Sequence, residues 1–131
     1  MSKSKRVEQF KTLSLAVLVI FYLIAGINHF RDPDFYYPLI PDYLSEFTVA
    51  INWLSGLIEV GFSAALVFEK TRKYAVYGIV LMLTAFIPSH ICFFDIGVCV
   101  PDGLCVPAWV PGARLLVIHP MLMYWAWIHR R

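Results

Sequence analysis

The sequence predicts an all-α membrane protein: one domain of four transmembrane helices that run up, down, up and down. The 131-residue chain is 60% hydrophobic and only 15% charged, whereas soluble domains contain about 45–50% apolar residues. Period-2 alternation is absent from the sequence, which argues against a membrane β-barrel. Four apolar stretches are each long enough to cross a bilayer, and they lie at about 12–30, 48–68, 74–94 and 112–128.

The first apolar stretch, 12–30, carries no charged residue before His29. With a rise of about 1.5 Å per residue it spans roughly 28 Å, close to the thickness of the hydrocarbon core. It is too long for the apolar part of a signal peptide, and no small-residue cleavage pattern follows it. We therefore expect this stretch to remain in the membrane as the first helix.

The second and third stretches are separated only by the short charged segment 69–73, so they are expected to form an antiparallel helical hairpin. The fourth stretch follows a connection that several prolines interrupt. Within the helices, Pro88 and Pro120 each remove a backbone donor, which leaves a carbonyl group of the preceding turn unpaired. Kinks, or polar partners for these carbonyl groups, are therefore expected in the third and fourth helices.

Lysine and arginine are distributed unevenly among the segments that connect the helices. They cluster before the first helix, in 69–73 and after the fourth helix, whereas the other two connections carry mainly aspartate and glutamate. Basic residues near helix ends are retained on the cytoplasmic side. We expect an integral protein of the bacterial plasma (inner) membrane with both termini cytoplasmic. The net charge of +2 is too small to indicate a nucleic-acid partner.

Polar and ionisable residues interrupt the apolar stretches. A charged side chain at membrane depth costs roughly 2.5–3.5 kcal/mol on insertion scales, so such residues usually face a bundle interior or a water-filled cavity. The predicted topology places most of them in the outer half of the bilayer. In the second stretch they recur in steps of three and four, on one helix face. We predict an outward-facing ligand pocket built from Asn28, His29, Asn52, Glu59, His90, Arg114 and His119.

Three kinds of chemistry remain open for this pocket. The imidazoles of His29, His90 and His119 could together bind a transition metal, but an isolated histidine in an apolar helix is more often structural, and we predict no metal ligand. Glu59 could carry a proton, or form a structural pair with Arg114 or His29. A quinone or another small amphipathic molecule would suit apolar and aromatic walls with a few polar groups. The sequence assigns neither a catalytic residue nor a cofactor.

The three cysteines fall into two groups. Cys99 and Cys105 lie in the connection that the charge distribution places outside, where disulfides persist. The Pro-Asp-Gly sequence between them is a turn signal, so we predict a disulfide between the two. Cys92, in the third helix, is expected to be a small buried apolar residue.

Several motifs resemble the DoxX-like family of small four-helix membrane proteins. They are Ala-Gly-Ile-Asn-His-Phe-Arg-Asp-Pro-Asp-Phe at 25–35, Pro-Asp-Tyr-Leu at 41–44 and Ser-Gly-Leu-Ile-Glu at 55–59, with the basic turn 69–73 and Pro88. The resemblance implies a four-helix fold and, by analogy, a redox-associated, quinone-linked membrane subunit. The alternative hypothesis is an assembly or stabilising partner of other membrane proteins, in which the polar residues only set helix register. The expected partners are therefore the lipid bilayer and either a quinone-like ligand or another membrane protein.

Overall fold

Long helices dominate the computed structural model, which describes residues 3–100, 103 and 105–131. The first half of the chain contains α1 (Lys3–Arg31), the short α2 (Pro33–Tyr36), two 3₁₀ segments (Tyr37–Leu39 and Asp42–Phe47) and α3 (Thr48–Val67). The second half contains α4 (Glu69–Ala85), α5 (Ile87–Asp95), α6 (Trp109–Ala113), a π-helical segment (Arg114–Ile118) and α7 (His119–Trp127). The predicted all-α class is confirmed, because β structure in the described residues is limited to an isolated bridge between Cys99 and Cys105.

Three helical segments within the described residues are long and apolar enough to cross a membrane, judged by length and composition. They are Lys3–Arg31, Asp42–Val67 and Glu69–Asp95. Their outer faces carry large exposed apolar side chains, among them Ile24, Leu57 and Leu81. Soluble monomers rarely expose apolar patches of this extent. Such faces are typical of helices that contact lipid.

The third predicted helix, 74–94, is divided in the structure at Phe86. Pro88 has no amide hydrogen and lies in the first turn of α5, a position where proline is tolerated. The amide of Phe86 closes α4 by donating to the carbonyls of Met82 and Leu83, and His90 then donates to the carbonyl of Phe86. The break therefore lies where the missing donor of Pro88 interrupts the hydrogen-bond ladder.

The fourth predicted helix, 112–128, is also irregular, since it consists of α6, the π-helical segment and α7. The amide of His119 donates to the carbonyl of Arg114, five residues earlier. Pro120 follows directly and cannot donate to the carbonyl of Leu116. A single widened turn therefore precedes the proline, and such π-bulges occur frequently at functional sites.

Helices α1 and α3 approach each other closely at two glycines. A Cβ atom on Gly26 would lie 2.8 Å from the carbonyl oxygen of Gly56, and one on Gly56 would lie 2.8 Å from Cβ of His29. Small residues at helix interfaces permit such backbone contact in membranes. The close approach places His29 directly beside α3.

The apolar core lies below this crossing, towards the chain termini. Helix α4 packs against both α3 and α7. The hydroxyl of Ser63 donates to the carbonyl of Val19 at 2.8 Å, which adds a polar contact between α1 and α3. The largest fully buried apolar side chains of the core are Leu18, Tyr22, Leu66, Val76 and Ile79.

Candidate functional site

A cavity of about 480 Å³ lies among the helices at the end where the α1–α3 connection crosses the bundle. Its volume is within the range of about 300–1,000 Å³ that small-molecule sites occupy. Five parts of the chain form its walls: α1, the α1–α3 connection, α3, the region of the α4–α5 break, and the π-helical segment with α7. Its aromatic lining consists of Phe21, Tyr22, Tyr36, Tyr43, Phe86 and Phe93.

The structure brings six of the seven predicted pocket residues to this cavity: His29, Asn52, Glu59, His90, Arg114 and His119. The seventh, Asn28, is not part of the lining. Its side-chain amide donates to the hydroxyl of Tyr36 at 3.0 Å, and the ring of Tyr36 stacks on that of His29 at a centroid distance of 3.8 Å. Burial raises the pKa of Tyr36 above its ordinary value. Asn28 therefore positions a ring of the lining.

His29 is held by Asn52 through two contacts. The side-chain amide nitrogen of Asn52 donates to the backbone carbonyl of His29 at 2.8 Å, and Oδ1 of Asn52 lies 2.6 Å from Nδ1 of His29. Both residues are buried. The pair joins α1 to α3 and holds the imidazole in one orientation.

Glu59 faces the other nitrogen of His29. Its Oε2 lies 3.7 Å from Nε2 of His29, which is too long for a hydrogen bond. Of the two partners predicted for Glu59, Arg114 and His29, the structure therefore places His29 within ion-pair distance. Glu59 is only 6% exposed, and its Oε2 has no hydrogen-bond partner among the described residues.

Tyr22 is a second buried polar group on the cavity wall without a partner. The residue is 2% exposed, and its hydroxyl forms no hydrogen bond with any described residue. Leaving one buried polar group unpaired costs about 1–3 kcal/mol. The cavity therefore contains two buried polar groups, Tyr22 and Glu59, that the described residues leave unpaired.

His90 and His119 meet on the opposite side of the lining, where their rings form an edge-to-face pair with centroids 4.6 Å apart. Nε2 of His119 lies 2.5 Å from the backbone carbonyl of Leu83, which can only accept, so this nitrogen donates. His29 is held separately by Asn52. In the part of the chain that the structure describes, no three His, Cys, Asp or Glu residues are grouped to bind a metal ion.

The π-helical segment orients two of the polar residues. In an α-helix, residues five apart point about 140° away from each other. The i→i+5 hydrogen bond between His119 and Arg114 widens this turn and reduces that angle. Both side chains consequently line the cavity, and the guanidinium of Arg114 also lies 5.8 Å from the ring centre of Phe93.

Residues 18–130 match the model of a protein family described as domain of unknown function DUF8561. The chain belongs to the DUF8561 family. The matched residues include all the walls of the cavity, so the site lies entirely within the DUF8561 domain. No curated protein and no solved structure matches the chain. The resemblance to the DoxX-like family stays a prediction.

Tyr22 is a polar residue of the cavity in the DUF8561 domain that the sequence analysis missed. Tyr22, Gly26 and His29 are spaced by four and three residues, so they lie on one face of α1. This spacing on the face of His29 indicates that Tyr22 is near the pocket. A tyrosine in an apolar helix is also typical of an apolar core, so the spacing alone does not assign it to the cavity. Other aromatic residues of the domain lie outside the cavity; Phe30 and Trp53, for example, pack against each other at 5.2 Å.

The cysteines of the DUF8561 domain lie outside the lining of the cavity. The structure joins Cys99 and Cys105 by a disulfide across a sequence separation of six. Cys92 is free and half-buried, and its thiol contacts the carbonyl of Pro38 at 3.6 Å. This contact ties α5 to the α1–α3 connection that covers the cavity.

Proposed function

We propose that this protein is an integral membrane protein that binds a small amphipathic molecule in the cavity between its helices. One observation carries the proposal: the buried polar groups of Tyr22 and Glu59 face a cavity of about 480 Å³ without a protein partner. The surrounding walls are largely apolar and aromatic. This combination is typical of sites that bury most of a small ligand and orient it by a few polar contacts.

The proposed arrangement in the membrane has four crossings, with α6, the π-helical segment and α7 together forming the fourth. Both termini and the segment 69–73 then lie on the cytoplasmic side, where their basic residues are favoured. The cavity opens towards the other side of the membrane. Irregular backbone at membrane depth is tolerated where it lines a cavity, which agrees with the break at Phe86 and the π-helical turn.

A quinone is the ligand class that the DoxX-like resemblance favours, and the protein would then act as a redox-associated membrane subunit. A ring between the aromatic walls, with a carbonyl group that accepts a hydrogen bond from the hydroxyl of Tyr22, suits the lining of the cavity. The apolar tail of such a molecule would leave the bundle between the helices and contact lipid.

Filling the cavity tests the proposal. Ala25 lines the cavity on α1, so Ala25→Leu places three additional carbon atoms in the binding space. Ala16 lies on the same helix with an exposed side chain, and Ala16→Leu is the matched control. The full-length protein is titrated in detergent with a decyl-substituted benzoquinone, and native mass spectrometry detects the bound molecule.

We expect binding to the unmodified protein and to Ala16→Leu, and a loss of at least about tenfold in affinity for Ala25→Leu. Equal binding to all three proteins would place the molecule outside the cavity and contradict the proposal. The proposal is also contradicted if the unmodified protein binds neither this quinone nor any of 4-hexylphenol, 4-hexylanisole and 4-hexylbenzylamine.

An assembly partner with a purely structural polar core is the second candidate function. The contacts of Asn52 with His29, and of Ser63 with Val19, favour it because they join α1 to α3 within the protein. The variants Glu59→Gln and His29→Asn separate the two candidates. If both lower the melting temperature and bound amphipathic molecules are absent from all proteins, the structural role is supported.

A further inference from the structure

We infer that the ligand of this cavity is a neutral amphipathic alcohol or phenol, whose hydroxyl group shares its one hydrogen between His29 and Glu59 in a bifurcated hydrogen bond. The inference rests on the proposed function, because it specifies the chemical class of the molecule in the same cavity. It follows from which nitrogen of the His29 imidazole carries the hydrogen. The surrounding hydrogen bonds determine this.

The orientation of the Asn52 amide determines which nitrogen of His29 carries hydrogen. Nδ2 of Asn52 lies 2.8 Å from the backbone carbonyl of His29, which can only accept, so this end of the amide is the donor. The opposite end, Oδ1, therefore faces Nδ1 of His29 at 2.6 Å. Because Oδ1 can only accept, Nδ1 must carry the hydrogen.

The second nitrogen of the neutral ring is consequently an acceptor. Nε2 of His29 faces Glu59, whose Oε2 lies 3.7 Å away. When the carboxyl group of Glu59 is ionised, both atoms are acceptors, so they do not bond to each other. A hydroxyl oxygen lying about 2.8 Å from both, the usual hydrogen-bond distance, fits between them. A carbonyl or ether oxygen in that place would supply no hydrogen.

Tyr22 complements this pair of acceptors. Its buried hydroxyl lines the same cavity and has no partner among the described residues. A hydroxyl group both donates and accepts, so a ligand hydroxyl that shares its hydrogen between His29 and Glu59 can accept from Tyr22. The orphaned atoms of the cavity therefore match the hydrogen-bonding capacity of one alcohol or phenol group.

The walls favour a neutral and partly aromatic molecule. Rings of Phe21, Tyr36, Phe86 and Phe93 line the same cavity. An ammonium group would also donate hydrogen bonds and pair with an ionised Glu59, but removing both charges from water costs several kcal/mol per ion. A phenol with an alkyl chain satisfies both the polar end and the apolar walls.

The test compares two probes that differ at one group, where the hydroxyl of one is a methoxy group in the other. 4-Hexylphenol and its methyl ether, 4-hexylanisole, have the same ring and tail, but only the phenol donates a hydrogen bond. The full-length protein is titrated with each probe in detergent, with 4-hexylbenzylamine as a cationic third probe. We expect the phenol to bind at least about tenfold more tightly than the ether or the amine.

Variants show whether the preference comes from the proposed acceptors. His29→Asn keeps an amide donor near Asn52 but removes Nε2, and Glu59→Gln replaces a carboxylate by an amide. Each should reduce the preference for the phenol to less than about threefold while binding of the ether continues, which shows that the cavity is intact. Glu46 is exposed and outside the cavity lining, so Glu46→Gln, the matched control, should retain the full preference.

The outcomes separate the inference from the proposed function. Equal binding of phenol and ether by the unmodified protein, or tighter binding of the amine, would overturn the inference while the cavity remains a ligand site. A preference that persists in both His29→Asn and Glu59→Gln would also overturn it. Failure of every probe to bind would overturn the proposed function and the inference with it.

Discussion

Asn52 holds His29 across the interface between α1 and α3: its Oδ1 lies 2.6 Å from Nδ1 of the imidazole, and its Nδ2 donates to the His29 carbonyl at 2.8 Å. One side chain thereby satisfies a backbone group and a ring nitrogen of the neighbouring helix. The contact is both a helix–helix link and the determinant of the imidazole tautomer. Loss of Asn52 should therefore affect stability as well as binding.

Asn52→Ala should lower the free energy of unfolding by about 1–3 kcal/mol, because it removes two hydrogen bonds between helices and leaves the buried groups of His29 unpaired. Unfolding of the full-length protein in detergent measures the change. Thr84 supplies the control, since its exposed hydroxyl bonds only within its own helix, to Val80 at 2.8 Å. Thr84→Ala should stay within about 0.5 kcal/mol of the unmodified protein; an equal loss in both variants would contradict the role of Asn52.

Gly56→Ala should destabilise the protein by about 1–3 kcal/mol. The added Cβ would lie 2.8 Å from Cβ of His29 and 2.9 Å from the carbonyl oxygen of Gly26, so α1 and α3 would have to separate. Gly61 is on the same helix, and a Cβ there meets no atom within 4 Å. Gly61→Ala should be neutral or slightly stabilising, because alanine favours helix over glycine. The two melting temperatures in detergent give the comparison, and similar values would argue against close packing at Gly56.

The end of the bundle near the termini should become less stable in acid because of His129. The indole of Trp125 donates to the hydroxyl of Ser14 at 2.8 Å, and that hydroxyl lies 3.0 Å from Nε2 of His129. Burial, with Arg72 and Lys11 nearby, lowers the pKa of His129 from its ordinary value of 6.5. The unfolded chain therefore takes up a proton at a higher pH than the folded protein, and stability is lost as the pH falls below about 6.5.

His129→Gln tests this dependence because glutamine does not titrate in that range. Melting temperatures of both proteins are measured between pH 7.5 and 5. Relative to the variant, the unmodified protein should lose stability as the pH falls, and their difference should be constant above pH 7. A constant difference over the whole range would show that His129 contributes nothing to the acid sensitivity.

The disulfide can be tested by counting free thiols. The chain contains three cysteines, of which Cys99 and Cys105 are joined in the structure and Cys92 is free. Denatured, non-reduced protein should therefore take up one maleimide, and reduced protein three, as measured by intact mass. The variant Cys92→Ser should take up none before reduction. Uptake of three maleimides by the unmodified protein before reduction would contradict the pairing.

The amino-acid sequence was sufficient to predict the helical class and most of the cavity's polar lining. Long apolar stretches determine where helices form, and polar residues in such stretches are expected to face inwards. Both arguments need only the periodicity of a single helix. On α3 the periodicity placed Asn52 and Glu59 on one helix face, and in the structure both residues line the cavity.

Other features depended on how the helices pack. Asn28 and His29 are adjacent in sequence, yet only His29 reaches the cavity, because the Gly26–Gly56 contact sets the rotation of α1 against α3. The π-helical turn before Pro120 then directs Arg114 and His119 to one side, and His90 meets His119 while His29 is held by Asn52. Periodicity identifies a polar face but not its angle or distance to the neighbouring helix. The angle and the distance depend on which side chains allow two helix backbones to approach each other. Only the tertiary structure decided them.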